Sequence, residues 1–364
     1  MFRNNRLSSA LKLSGVLAIA LSPTLLLADA FVQNNLVSDV PGVATYTDPN
    51  LKNPWGVSFT NTSPFWVSNQ GSGTSTLYNG SGVPQSLIVT VPGSATPPSG
   101  PTGQVSNGNA TEFGGAKFIF DTLNGTIAGW SSGGSAVTSV TTSGAVYTGL
   151  ALANNGSADF LYAADSTGQI RVFNSSFAAT TLSGNFTDPN AQAGFVPFNI
   201  QEINGNLYVT YAKLGAQGVG LPGGYIDEFS NNGAFIQRLA TGGALYAPWA
   251  ITVAPTGFGS LGGDFLVGNF GNGEILEYSP TGTYLGTLDD ANGNPIVNPY
   301  LWALDFRSPT SGYNPDALYF TAGYNSQQDG LFGDIVVAPE PAPFYTLGAS
   351  LLAAVFLRRR LGRS

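Results

Sequence analysis

The stretch Gly168-Gln169-Ile170-Arg171-Val172-Phe173 decides the fold, because it is one copy of a pattern that recurs: glycine, any residue, isoleucine, two residues, aromatic. The pattern returns as Gly125-Thr126-Ile127-Ala128-Gly129-Trp130, as Gly224-Tyr225-Ile226-Asp227-Glu228-Phe229 and as Gly273-Glu274-Ile275-Leu276-Glu277-Tyr278. Weaker copies begin at Gly73 and Gly333, and the six glycines are 52, 43, 56, 49 and 60 residues apart. Self-similarity at such a period marks an array of supersecondary units rather than one irregular sheet.

Two further strands precede each copy. The nearer set reads Phe65-Trp66-Val67-Ser68, Phe118-Ile119-Phe120, Phe160-Leu161-Tyr162-Ala163, Leu207-Tyr208-Val209-Thr210, Phe265-Leu266-Val267-Gly268 and Leu318-Tyr319-Phe320-Thr321. The farther set begins at Trp55, Thr148, Phe198, Trp249 and Trp302, with a degenerate copy near Gly103 to Val105. Short strands at this period describe four-stranded blades, so the chain reads as an all-β, six-bladed β-propeller. The glycine opening each third strand suits a hairpin that needs positive φ, and the aromatic closing it would fill the gap to a neighbouring blade. The sixth repeat runs out of chain after three strands, near Ala338. Phe31 to Val37 stands alone before the first repeat and is expected to supply the missing outer strand, closing the ring.

Composition agrees. Charged residues make up 9% and there are 48 glycines, which argues against long surface helices. The chain has neither Cys nor His, which removes disulfides, thiolate and histidine metal sites, and Ser-His-Asp or Cys-His catalysis. Between Phe31 and Ala338 six basic residues face nineteen acidic ones, a net charge near −13. Such a surface repels phosphate backbones, and no nucleic-acid partner is expected.

The two ends read as addresses. Arg3, Arg6 and Lys12 precede an apolar run from Gly15 to Leu27, and Ala28-Asp29-Ala30 supplies a small-residue cleavage site, so residues 1–30 read as a signal peptide for export. At the other end Pro339-Glu340-Pro341 precedes Phe344 to Leu357, fourteen apolar or small residues, and then Arg358, Arg359 and Arg360. As a helix that run spans about 21 Å against about 30 Å of hydrocarbon, which suits transient inner-membrane anchoring with the arginines cytoplasmic. These three parts resemble the PEP-CTERM sorting signal. The resemblance implies an exosortase-type processing enzyme as partner, a cell-surface or extracellular destination, and an association with exopolysaccharide and biofilm matrix. The chain then divides into a signal peptide (1–30), a propeller domain (31–338) and a sorting tail (339–364).

The body resembles NHL-type propellers, and more closely an uncharacterised family of exported bacterial propellers. The stretches that carry this are Asn53 to Gly56 (N-P-W-G), Gly125 to Trp130 (G-T-I-A-G-W) and Tyr208 to Lys213 (Y-V-T-Y-A-K). That resemblance implies the fold and no particular activity.

Candidate site residues follow from the repeat. Loops entering the innermost strands of a propeller commonly carry function, and here those entries bear Trp55, Phe198, Trp249 and Trp302. Aromatic faces beside polar groups suit sugar rings; equally, the same rings can serve as core between blades. Asn69, Asp165 and Asn269 follow equivalent second strands and are either ligand-binding or structural repeat residues. Asp290, Asn292 and Asn294 have the alternating start of a calcium loop but lack its glycine and closing glutamate; Asp, Asn and Gly also build plain turns. Glu112, Asp121, Asp165, Glu202, Asp227 and Asp305 are the acids from which a glycoside-cleaving pair could be drawn. The expectation is an exported, non-catalytic binding or matrix-associated propeller, with exopolysaccharide as its partner and Ca²⁺ as the one cofactor to consider. The alternatives are a carboxylate-dependent glycosidase or lyase, and a purely structural surface or adhesion protein.

Overall fold

The computed structural model describes residues 29–93, 100–215 and 220–339. Within them β1 (Phe31–Ser38) and the two-residue β2 (Tyr46–Thr47) precede the blades. Blade I is β3 (Pro54–Ser58), β4 (Phe65–Asn69), β5 (Thr74–Tyr78) and β6 (Pro84–Thr90). Blade II is β7 (Pro101–Ser106), β8 (Phe118–Thr122), β9 (Thr126–Trp130) and β10 (Val137–Thr141). Blade III is β11 (Tyr147–Asn154), β12 (Asp159–Asp165), β13 (Gln169–Asn174) and β14 (Ala179–Thr180). Blade IV is β15 (Val196–Ile203), β16 (Asn206–Ala212), β17 (Tyr225–Ser230) and β18 (Phe235–Thr241). Blade V is β19 (Pro248–Val253), β20 (Phe265–Asn269), β21 (Ile275–Tyr278) and β22 (Tyr284–Thr287). Blade VI is β23 (Leu301–Asp305), β24 (Leu318–Ala322) and β25 (Leu331–Val337), completed by β1.

The ring closes as the sequence predicts. Strand β1 runs antiparallel to β25, pairing Phe31 with Val337 and Ser38 with Leu331, and the Ala338 amide donates to the Ala30 carbonyl at 2.7 Å. One blade thus holds both ends of the ring, so opening the ring requires breaking a sheet. Of the two terminal segments, Ala30 and Pro339 fall inside the described residues; Ala28, Glu340, Pro341, Arg358, Arg359 and Arg360, on which the cleavage-site and sorting-signal expectations rest, lie outside them.

Six hydrophobic clusters are distributed one to each blade boundary, because blade sheets bury both faces. The repeat aromatics Tyr78, Phe173, Phe229 and Tyr278 lie in them as expected, each almost wholly buried. Trp66, Phe118 and Trp130 form the aromatic contact of blades I and II, Trp66 stacking on Phe118 at 4.0 Å.

The glycine rule needs correcting in two repeats. Gly73, Gly125, Gly168 and Gly273 do have positive φ. In blade IV the left-handed residue is Gly223 rather than Gly224. Gly333 sits inside β25, where a Cβ would meet the Asn34 carbonyl at 2.5 Å, so it permits strand approach rather than a turn.

Candidate functional site

Each innermost strand opens in the same way. A β-bulge interrupts its pairing just after the first residues, between Pro54 and Val57 on β3, Pro101 and Gln104 on β7, Tyr147 and Gly149 on β11, Pro197 and Asn199 on β15, Pro248 and Ala250 on β19, and Leu301 and Leu304 on β23. A bulge turns one side chain out of the regular alternation. The residues at this point are Trp55, Thr102, Thr148, Phe198, Trp249 and Trp302, and where they are aromatic they converge on the ring axis. Trp55 stacks on Trp302 with centroids 3.4 Å apart, and Trp249 meets both edge-on at 6.4 and 5.8 Å. Phe198 and Phe270 pack against Trp302 from the other side, at 5.8 and 4.3 Å. Two residues before each tryptophan, at Asn53, Ala247 and Tyr300, the backbone is left-handed, with φ of 44°, 48° and 57°. Such conformations are costly for side-chain-bearing residues and persist where surrounding structure holds them.

The result is an aromatic plug. Trp55, Phe198, Trp249 and Trp302 are 6%, 2%, 4% and 1% exposed, so they offer one another, not solvent, their faces. Of the two readings the sequence allows for these rings, their burial matches packing core, and they fill the channel at that end. Two of the indole N–H groups are satisfied internally, Trp302 to Asn53 Oδ1 at 3.0 Å and Trp249 to the Thr148 carbonyl at 2.9 Å. On the outer side of the plug remains a recess of about 250 Å³ beside Tyr246, Phe270, Tyr300 and Asn272.

Below the plug the channel widens into a cup of about 410 Å³. Trp249 reaches it as part of the floor, and its walls are the C-terminal halves of β3, β7, β11, β15 and β23. Ser58, Asn199, Gln201, Glu202, Asp305 and Ser308 contribute polar groups to the wall, interleaved with Val57, Leu150, Leu304 and Phe306. Asp305 is half-buried; burial pushes its carboxyl up to about 7, against the opposing influence of the Phe306 N–H, which donates at 2.8 Å, and of nearby Arg307. Gln104 also lines the cup but is occupied, accepting from Ser68 at 3.1 Å and donating to the Gly56 carbonyl at 3.3 Å, which ties blade II to blade I. Narrow inter-strand spacing on this side depends on glycine: a Cβ on Gly103 would lie 2.3 Å from the Leu150 amide nitrogen.

Of the six acids considered, Glu202 and Asp305 reach the cup. Asp121 is buried within blade II, Asp165 pairs with Arg171 at 2.6 Å, and Asp227 pairs with Arg238 at 2.7 Å. Glu112 lies beside Asp159, and hydrogen bonding to that second acid raises its carboxyl. Asn69, Asp165 and Asn269 take the structural of their two readings. Asp165 accepts from the Val146 and Thr167 amides, Asn269 joins Tyr246 N–H to the Ala244 carbonyl, and Asn69 donates to Thr76. All three are fully buried and hold the turns between first, second and third strands. Asp290, Asn292 and Asn294 fold as a turn in which the Asp290 carboxylate accepts the Asn292 and Asn294 amides at 2.8 and 3.0 Å, which lowers its pKa. The two asparagine side chains present nitrogens, not oxygens, to that carboxylate.

The cup walls were largely missed from sequence. Their signal was positional: Ser58, Gln201 and Asp305 each stand three residues after Trp55, Phe198 and Trp302. The aromatic start of each strand is the more conspicuous feature in sequence, and these wall positions follow it.

An uncharacterized protein of Acanthamoeba polyphaga mimivirus is 31% identical to this chain over 328 residues, covering 83% of this chain and 79% of the viral one. The chain belongs to that protein's family. A second uncharacterized mimivirus protein of the family is 29% identical over 331 residues, covering 83% and 85%. Both relatives are viral, whereas the resemblance pointed to exported bacterial proteins, so membership carries neither an export route nor an activity. Among solved structures, a protein of unknown function from Bacteroides thetaiotaomicron aligns with a TM-score of 0.54 at 12% identity, covering 85% of this chain and 76% of that one. It supports the fold of the family alone. Streptogramin B lyase aligns with a TM-score of 0.46 at 14% identity, covering 85% and 97%. No protein-family model matches the chain.

Proposed function

We propose that the protein is an exported, non-catalytic binding propeller that takes a sugar unit of an extracellular polysaccharide into its cup. The observation that carries this reading is the cup itself: about 410 Å³, floored by an indole and walled by hydroxyls, amides and carboxylates. That volume falls in the range of small-molecule sites, and an apolar floor with a few convergent polar groups suits a ring that is apolar on its faces and hydroxylated at its rim. Export and the exosortase-processed tail form part of the proposal and rest on the sequence of residues 1–30 and 339–364.

A glycan array followed by polysaccharide pull-down with the full chain, with and without Ca²⁺, tests the binding. Retention of a specific oligosaccharide, lost when Gln201→Trp fills the cup while the unfolding midpoint holds, supports the reading. Retention unaffected by that variant removes the cup from it, and no retention at all leaves the purely structural, adhesion reading. Deleting residues 339–364 tests the address: unchanged surface release would overturn it.

A second reading is favoured by one observation, that Glu202 and Asp305 line the same cup from blades IV and VI. A pair of acids suffices for glycoside cleavage. Turnover of the retained polymer, abolished by Glu202→Gln, would establish that reading in place of simple binding.

A further inference from the structure

The cup walls are electrically one-sided. Glu202 and Asp305 line it, and no lysine or arginine does among the described residues. Around it the body of the chain carries six basic against nineteen acidic residues. A concave site of one sign within a like-charged surface focuses potential and raises the local concentration of the opposite sign. Uronic acid units, common in acidic polysaccharides, are repelled by such a site.

The wall also holds an unused polar group. Ser58 lines the cup and is 8% exposed; its hydroxyl oxygen lies just beneath the wall and has no hydrogen-bond partner among the described residues. An orphan buried hydroxyl is costly unless a ligand or water completes it. Asp305 stands on the adjacent inner strand, since β23 neighbours β3 around the ring. One of its carboxylate oxygens accepts the Phe306 amide, and among the described residues the second accepts no hydrogen bond. When ionised, Asp305 is acceptor-only, and its free oxygen in an acidic cup matches a donor-rich cationic group.

We propose that the cup selects amino sugars, hexose units bearing a protonated amine as in deacetylated polysaccharide, over N-acetylated, neutral and uronic units, with Asp305 as the partner of the ammonium group. This rests on the sugar-binding reading above and narrows it.

Calorimetric titration of the full chain with the tetramers of glucosamine, N-acetylglucosamine, glucose and galacturonic acid tests it. The glucosamine tetramer should bind at least about tenfold more tightly than its N-acetylated counterpart, the ratio expected for one charge-assisted contact. Asp305→Asn should collapse that preference without changing the unfolding midpoint. Glu277→Gln, which removes an acid of blade V that does not line the cup, should preserve it and so separate a site from general attraction to an acidic surface. Equal binding of the N-acetylated or uronic tetramer, or a preference untouched by Asp305→Asn, overturns the selectivity while leaving sugar binding in place. Binding of none of the four overturns both.

Discussion

Asp121 makes stability depend on pH in a direction opposite to that of most surface carboxylates. It lies in β8, fully buried, with one oxygen accepting Thr102 Oγ1 at 2.7 Å and the Gly103 amide at 2.6 Å. Its other oxygen has no partner among the described residues. Burial lifts the carboxyl to about 7, more than those two donors lower it. An unfolded-chain aspartate titrates near 3.9. The folded value is the higher one, so the folded state holds the proton more tightly. The contribution is fully present below about pH 4 and is lost as pH rises through about 7. A gap of about 3 pH units at about 1.4 kcal/mol each amounts to about 4 kcal/mol, of which about 3 kcal/mol falls between pH 5 and pH 8. Asp121→Asn retains an acceptor for both donors and abolishes the titration, while its amide hydrogens meet the unpartnered side at a cost of about 1–3 kcal/mol. The variant should therefore lie within about 1.5 kcal/mol of the parent at pH 5 and be the more stable of the two at pH 8, gaining about 3 kcal/mol on it across that range. Urea unfolding followed by tryptophan fluorescence, at both pH values on both proteins, gives the comparison. Asp305 and Glu277, also raised to about 7, and Asp227, raised to about 6, titrate in both proteins and cancel in the difference. Parallel pH dependences for parent and variant would refute the assignment.

The plug predicts that Trp302→Ala, at a residue stacked on Trp55 and touched by Phe198 and Phe270, costs about 3–5 kcal/mol in denaturant unfolding; a loss below about 1 kcal/mol would mean the plug adds little. Gly103→Ala places a Cβ 2.3 Å from the Leu150 backbone nitrogen and should lower the unfolding midpoint by the equivalent of about 1–3 kcal/mol, and an unchanged midpoint would show that β7 and β11 can separate freely. Removing residues 31–38 strips β25 of its partner strand and uncovers Phe332 and Ile335; size-exclusion chromatography should show a larger species than the intact chain forms, and an unchanged elution position would mean closure is dispensable. Arg238→Met leaves Asp227 and Asp188 unpaired beneath Tyr225, a loss of about 3–5 kcal/mol by thermal or urea unfolding at pH 8 that should shrink at pH 5, where Asp227 is protonated.

Much of the fold was legible because propeller blades repeat, and repetition converts weak local signals into a strong one. The repeated glycine pattern located four of the third strands at their turns and a fifth within one residue of its turn, and the lone strand from Phe31 announced the closure because a ring leaves one blade short at the chain's end. Gly333 was misread, since a glycine required for strand approach and one required for a turn look the same in sequence. The site was less legible. Trp55, Trp249 and Trp302 stood out as aromatics at repeat-equivalent positions, yet whether such rings face solvent or each other depends on where bulges turn them. Ser58 and Gln201 carried no compositional signal, and Asp305 stood out only as one acid among six. Strands far apart in the chain bring them to one wall.

The sequence by itself determined the six-fold repeat, the all-β class, the closing strand, the acidic body and the absence of histidine and cysteine chemistry. Each of these depends on residue type and spacing, which are local and additive along the chain. Only the tertiary structure decided that the channel is plugged at the entry side and open as a cup at the other. That outcome depends on how six bulged strands, three left-handed residues and the bulk of four aromatic rings share one axis, a packing problem that no single blade contains.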